Sequence, residues 1–190
     1  MKYQQASEKL AGYRKNIAEL REKMRKTLAE TEPEEVRDYE FATLEGKRRL
    51  SELFGGRDEL FMIHNMGRKC PNCTLWADGF NGVYHHLADR AAFVVSSPDP
   101  PAVQEEFAKS RGWRFPMVSH EGSSFADDMG YRSKEGRWMP GISVFRREGK
   151  RIVRLSDTGF HPLDDFSAVW HILDLLPEGR GGWSPKFKYA

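Results

Sequence analysis

Arg68-Lys69-Cys70-Pro71-Asn72-Cys73-Thr74-Leu75-Trp76 contains the only two cysteines of the chain, separated by a proline and an asparagine. A thiol attacks a disulfide as its thiolate, and a helix N-terminus, with unpaired N–H groups and partial positive charge, stabilises that thiolate. Pro71 suits the first position of such a helix, because its missing N–H would have had no intrahelical partner and its φ is already helical. Cys70 is therefore expected at the cap, accessible and activated. Cys73 is expected one turn in, placed to attack a mixed disulfide formed on Cys70.

Outward from this motif the chain alternates. Leu60 to His64 reads as a compact apolar strand, and Pro71 to Arg90 as a helix with Cys73, Trp76, Phe80, Val83, Tyr84 and Leu87 on its buried face, weakened at Gly79 and Gly82 where a kink is expected. Ala91 to Val95 follows as a second buried strand. Val103 and Phe107 mark a helix stopped near Gly112, and Ile142 to Phe145 with Arg151 to Leu155 flank a glycine turn as a hairpin. Leu163, Phe166, Val169, Trp170, Leu173 and Leu176 repeat at helical spacing up to Pro177. Strand, helix, strand implies parallel pairing with a crossover.

Upstream, residues 4 to 31 form an amphipathic helix, with Leu10, Tyr13, Ile17, Leu20, Met24 and Leu28 at spacings of three and four. This stripe needs a cover, supplied either by its own domain or by a homodimer. Tyr39 to Phe41 and Leu44 to Lys47 read as a short strand and turn, and Leu50, Leu53 and Phe54 as a short helix before Gly55-Gly56. The organisation expected is a helix over 1–35, an α/β domain over 36–176 and a tail over 177–190 carrying Trp183, Phe187 and Tyr189.

Composition narrows the function. A chain of 190 residues builds a core without a covalent staple, so the cysteine pair is not needed for stability. Lys and Arg total 30 against 28 Asp and Glu, interspersed, which makes no electrostatic case for nucleic acid. The N-terminus has no apolar signal core and no apolar run approaches the roughly 18 residues of a membrane span. A soluble, cytoplasmic protein without membrane contact is expected. Thiols there are held reduced, which favours a catalytic, sensing or metal-binding pair over a structural bridge. Zinc would need two further ligands, and His85 and His86, adjacent on a helix, point about 100° apart. No nucleotide-binding glycine motif, nucleophile elbow or metal cluster is present, so no cofactor is expected.

The element order, with a CxxC opening the helix after the first core strand, resembles the thioredoxin superfamily over residues 36 to 176. That superfamily places a cis-proline before the terminal hairpin, against the cysteines. Met139-Pro140-Gly141-Ile142-Ser143-Val144-Phe145, followed by Arg147-Glu148-Gly149-Lys150, has the matching form, and the resemblance makes Pro140 the candidate. Phe61-Met62-Ile63-His64-Asn65-Met66-Gly67 with Cys70 to Gly82 is similar, more narrowly, to a bacterial thioredoxin-like family of unknown function, named only by prediction as dithiol-disulfide oxidoreductases. The resemblance implies a central mixed sheet flanked by helices, with an added N-terminal helix. It implies thiol-disulfide exchange with a disulfide-containing protein or small molecule, recycled by an external thiol reductant.

Several residues depart from the thioredoxin pattern. Lys69 replaces the tryptophan before the first cysteine, and Pro71-Asn72 replaces Gly-Pro, which is more like glutaredoxins and periplasmic oxidases. His64 takes the place of a buried acid; it reads either as a proton acceptor for Cys73 or as a strand-end histidine satisfied by backbone or water. Trp76 reads as core or as a substrate platform. The segment before Pro140 is similar in length to that of peroxiredoxins, but Gly67 and Ile63 stand where their reactive cysteine has Thr or Ser and Pro. The competing class is a non-enzymatic module that senses redox state or binds zinc.

Overall fold

The computed structural model describes residues 1–189. It divides into a first unit, Met1–Pro33, and a second from Glu34 onward. The first is the helix α1 (Tyr3–Glu30), none of whose residues is buried. Lys9 extends along the helix to within 5.9 Å of the Tyr13 ring centroid, and Arg25 pairs with Glu22 one turn back.

The second unit is built on one eight-stranded mixed sheet. Its strands are β1 (Glu34–Val36), β2 (Glu40–Thr43), β3 (Gly46–Arg49), β4 (Glu59–His64), β5 (Ala92–Ser97), β6 (Met117–Ser119), β7 (Gly141–Glu148) and β8 (Arg151–Gly159). Their spatial order is β1-β8-β7-β4-β5-β6-β2-β3. β4, β5 and β6 run parallel, while β7 is antiparallel to β4 and β8 to β7. The parallel strands require crossovers, supplied by α2 (Pro71–Arg90) between β4 and β5 and α3 (Pro101–Arg111) between β5 and β6.

Local sequence accounts for these boundaries. α2 starts at Cys70-Pro71 and is helical throughout, including the two glycines. α3 ends at Gly112, which adopts the left-handed conformation (φ 66°) that a residue without Cβ enters freely. Glu148 pairs with Arg151 across Gly149-Lys150, and Gly149 has φ 64° at the first turn position, as hairpin twist requires.

Two regions differ from expectation, and the tail, which the sequence leaves free to dock or to stay loose, takes the first form. The second unit begins at Glu34 because Glu34–Val36 adds an edge strand on β8. The last helix (Ala168–Leu173) is shorter than its apolar spacing suggests; Asp164 instead accepts the N–H groups of His161 and Phe166 and holds the preceding residues as a loop. The tail is docked: Arg111 Nη1 donates to the Phe187 carbonyl at 2.8 Å, Trp183 packs edge-on to Trp170, and Pro185 is buried.

Side chains alternate across the sheet and form two cores. Leu60 and Met62 of β4, Val94 of β5 and Phe145 of β7 pack on one face with Phe125, Met129 and Tyr131. Ile63, Phe93 and Val95 pack on the other with Trp76, Phe80 and both cysteines of α2. Two histidines are interred where β4 and β6 end: Nε2 of His64 meets Ser143 Oγ at 2.9 Å, and Nδ1 of His120, just past β6, meets Ser96 Oγ at 2.7 Å. Burial holds His64 well below the usual histidine range and His120 at about 4, so both are neutral in the folded protein.

Because the unfolded chain binds these protons near pH 6.5 and the folded one does not, stability is intact above pH 6.5 and falls as the pH drops toward 4. Unfolding at pH 5.5 takes up roughly two protons, one per buried imidazole. Calorimetric unfolding enthalpies in buffers of different ionisation heat measure that uptake, and His120→Asn removes about half of it.

Candidate functional site

The site is the junction of β4 and α2. β4 delivers the chain to Asn65, whose N–H donates to the Ser96 carbonyl at 2.8 Å and whose side-chain oxygen accepts the Gly67 N–H at 2.8 Å. Gly67 has φ +95°, and a Cβ built there would lie 2.8 Å from Asp99 Oδ2, so conformation and crowding both demand glycine. The same Asp99 oxygen accepts the Arg68 N–H at 2.6 Å. Asp99, on the loop after β5, thus clasps the segment that leads into the cysteines.

Cys70 is the N-cap of α2 and Pro71 its first residue. The Cys70 sulfur accepts the Cys73 N–H at 3.0 Å, in the way an N-cap oxygen would. The Cys70 carbonyl accepts both the Thr74 N–H and the Thr74 hydroxyl at 3.0 Å. These bonds fix the sulfur over the helix end. A hydrogen bond from the Cys73 thiol is the largest influence on Cys70 and, with the N–H groups of Cys73 and Asn72, outweighs burial and brings its pKa to about 7. Cys73 is pushed far upward by that same bond, by burial and by the charge on Cys70. One thiol is ready to ionise near neutrality and the other is held protonated. Cys70 is only 9% exposed and Cys73 3%, so access to the pair is a narrow window at Cys70 rather than the open position expected.

Ile63, Trp76 and Phe160 share the cysteines' core, with Met66 and Ile142 packed against it. Trp76 is buried and is no platform for substrate. Its indole N–H donates to Asp164 Oδ1 at 3.2 Å, tying α2 to the loop after β8. In that loop Leu163 has φ 76° and projects half-exposed. Phe160, Asp99, Asn65 and Asp164 were not identified from sequence. A signal exists for Asn65-x-Gly67, whose side chain-to-backbone turn has a known form, but the Asp99 and Asp164 contacts join residues 31 and 88 positions apart.

Two expectations are corrected. His64 is not beside Cys73. Strand residues alternate between faces, so with Ile63 on the cysteine side His64 points to the other, where its ring stacks on Tyr131 at 3.6 Å and bonds Ser143. Nor is the Met139-Pro140 bond cis: the described residues contain no cis peptide. The Met139 N–H donates to the Tyr131 carbonyl at 2.8 Å and Arg132 bridges Trp138, so the chain runs extended into β7. That path accommodates the trans form, which X–Pro bonds favour by about 0.5–1 kcal/mol. The Pro140 carbonyl accepts the Phe160 N–H at 2.8 Å. Gly141, next to it, is hemmed in by Tyr131 and the Thr158 carbonyl, 2.2 and 2.5 Å from a hypothetical Cβ.

A mixed sheet with a dithiol at the first crossover helix defines a protein of the thioredoxin and peroxiredoxin fold class. Solved structures agree. Peroxidoxin BcpB from Mycobacterium tuberculosis is similar at 29% identity and TM-score 0.54, over 67% of this chain and 84% of that one. Reduced Prx3 from Vibrio vulnificus, in complex with H2O2, matches in fold at 13% identity and TM-score 0.58, over 70% and 88%. A peroxiredoxin-like protein from Aquifex aeolicus matches in fold at 14% identity and TM-score 0.53, over 67% and 74%. The chain belongs to the bacterial protein family of unknown function DUF899, whose model matches residues 1–189. No curated protein matches it.

The Asp99 clasp generates a coupling test. Gly67→Ala forces a left-handed alanine against Asp99 and destabilises by about 1–3 kcal/mol, measured by urea unfolding. Asp99→Ala removes the crowding but not the backbone strain, so the double variant is less destabilised than the sum of the two singles.

Proposed function

We propose that the protein is a thiol-disulfide oxidoreductase in which Cys70 is the nucleophile and Cys73 the resolving thiol. The observation that carries this reading is the Cys73 N–H on the Cys70 sulfur at the helix cap, together with the opposed shifts of the two thiols. The Cys70 thiolate attacks one sulfur of a substrate disulfide, forms a mixed disulfide and expels the other sulfur as a thiolate. Cys70 is then neutral. The thiol–thiolate hydrogen bond and the repulsion that kept Cys73 protonated vanish together, leaving only burial against its ionisation. Cys73 gives its proton to the expelled thiolate or to water, since His64 is on the other side of the sheet. It attacks Cys70 Sγ, closes the Cys70–Cys73 disulfide and releases the second substrate thiol. The substrate gains two electrons, and an external dithiol or two monothiols return them to the protein. No metal or organic cofactor takes part in this scheme.

A second reading has a peroxide as the oxidant, favoured by the 29% identity with a peroxidoxin. Cys70 would take one oxygen as a sulfenic acid and release an alcohol or water; attack by Cys73 would then form the same disulfide and release water. Rates of Cys70 oxidation by hydrogen peroxide and by a small disulfide, compared on the reduced protein, separate the two readings.

The exchange reading is tested with Cys73→Ser, which accumulates a mixed disulfide on Cys70 when treated with a disulfide substrate, whereas wild type releases both thiols. Failure to trap any adduct, or trapping at Cys73 in Cys70→Ser at the same rate, refutes it. In wild type, Cys70 alkylation titrates near pH 7. Cys73→Ala, which deletes the donor thiol, moves that midpoint up toward the free value of about 8.5. With proline after Cys70, the reduction potential is expected in the range of roughly −200 to −230 mV, less reducing than thioredoxin's value of about −270 mV, as equilibration with glutathione measures.

A further inference from the structure

Cys70 closes a four-residue turn. Its N–H donates to the Gly67 carbonyl at 3.1 Å, so Gly67, Arg68, Lys69 and Cys70 form one turn whose last residue carries the thiol at the helix cap. Two side chains hold that turn from outside it. Asn65 Oδ1 accepts the Gly67 N–H at 2.8 Å, and Asp99 Oδ2 accepts the Arg68 N–H at 2.6 Å. The second is the stronger in kind, because a carboxylate acceptor shortens and strengthens a hydrogen bond.

The mount of Asp99 is rigid. It stands in Ser97-Pro98-Asp99-Pro100-Pro101, where each proline fixes its own φ and restricts the residue before it. The Asp99 N–H donates to Ser97 Oγ at 3.3 Å, and the same oxygen accepts the Gln104 side-chain amide at 2.8 Å. Gln104 is buried and donates as well to the Val118 carbonyl at 3.0 Å. Asp99 is thereby braced on β5, β6 and α3. A loop built in this way presents its carboxylate at a fixed point and does not follow a turn that moves.

We infer, on the thiol-exchange reading above, that Asp99 is a positioning residue that biases the cysteine pair toward the dithiol form. When the disulfide closes, Cys70 and Cys73 give up two electrons and two protons to an oxidising disulfide, which leaves as two thiols, and their sulfurs come to bonding distance. Cys73 lies inside α2, and the Cys70 carbonyl is held by Thr74. Rotation about the Cys70 backbone therefore swings the residues before it, Lys69 back to Gly67, and draws the Arg68 N–H away from a carboxylate that stays in place. An interaction made in the dithiol and weakened in the disulfide favours reduction.

The test equilibrates full-length protein with glutathione buffers at pH 7, quenches with acid, alkylates the free thiols and counts them by mass. The Cys70–Cys73 disulfide of Asp99→Ala is about tenfold more stable against glutathione than that of wild type, which for a two-electron couple is a potential about 30 mV more negative. Asp99→Asn loses the charge but keeps an acceptor oxygen, and stays nearer to wild type than to Asp99→Ala. Pro100→Gly keeps the carboxylate, loosens its mount and shifts the equilibrium in the same direction as Asp99→Ala. Urea unfolding in both redox forms supplies the control: Asp99→Ala weakens the dithiol form more than the disulfide form, whereas a residue that only supports the fold weakens both alike. An equilibrium unmoved in Asp99→Ala or in Pro100→Gly, a shift of opposite sign, or equal shifts in Asp99→Ala and Asp99→Asn overturns the inference and leaves the exchange reading standing. A wild-type protein that forms no Cys70–Cys73 disulfide in any of these buffers overturns both.

Discussion

β4 is hydrogen-bonded on both edges, to β5 in parallel and to β7 antiparallel, and every residue from Leu60 to His64 has a partner on each side. Such a strand cannot slip by one residue without moving its whole side-chain set to the wrong face. Its register therefore sorts the molecule. Ile63 goes to the side of α2 and the thiols, while Met62 and His64 go to the side of Phe125 and Tyr131. Where β4 ends also decides where α2 begins, because Asn65 to Lys69 turn within a space bounded by Ser96 and Asp99 at the end of β5. The position of the Cys70 sulfur is thus a consequence of strand pairing before any property of cysteine enters.

The thiol chemistry then follows from the helix start. A cap normally presents an oxygen to the N–H three residues on; here a sulfur does so, and the residue three on carries the second thiol. One spacing satisfies the backbone and sets the two sulfurs against each other electrostatically. The mutual interaction exists only while Cys70 bears charge, and without that charge burial alone opposes ionisation of Cys73. His64, on the other face of the sheet, takes no part in this balance.

Legibility in the sequence tracked the range of the determining interactions. The limits of α2 were readable because Cys70-Pro71 and Arg90 mark them locally, and the β7–β8 turn because Gly149 does. The short strands β1 and β6 were not, since they exist through partners 120 and 22 residues away, Arg154 for Glu34 and Val95 for Met117. The side taken by His64 was ambiguous for another reason. The run Leu60 to His64 is apolar on both faces, as a central strand must be, and alternation has no contrast to reveal itself.

Spacing also separates this site from a single reactive cysteine on the same fold. In a helix, residues three apart have Cβ atoms about 5–6 Å from each other, and a disulfide needs about 3.5–4.5 Å. The remaining distance must be closed without unwinding α2, whose first turn is held by Thr74 on the Cys70 carbonyl. Cys70 can supply it because, as the cap, it has extended rather than helical backbone angles (φ −98°, ψ 106°) and can adjust while α2 stays intact. Cys73, inside the helix and packed in its core, cannot. The freedom that α2 lacks therefore lies in the cap and the loop that Asp99 holds, while the loop after β8 is tied to α2 through Trp76 and Asp164.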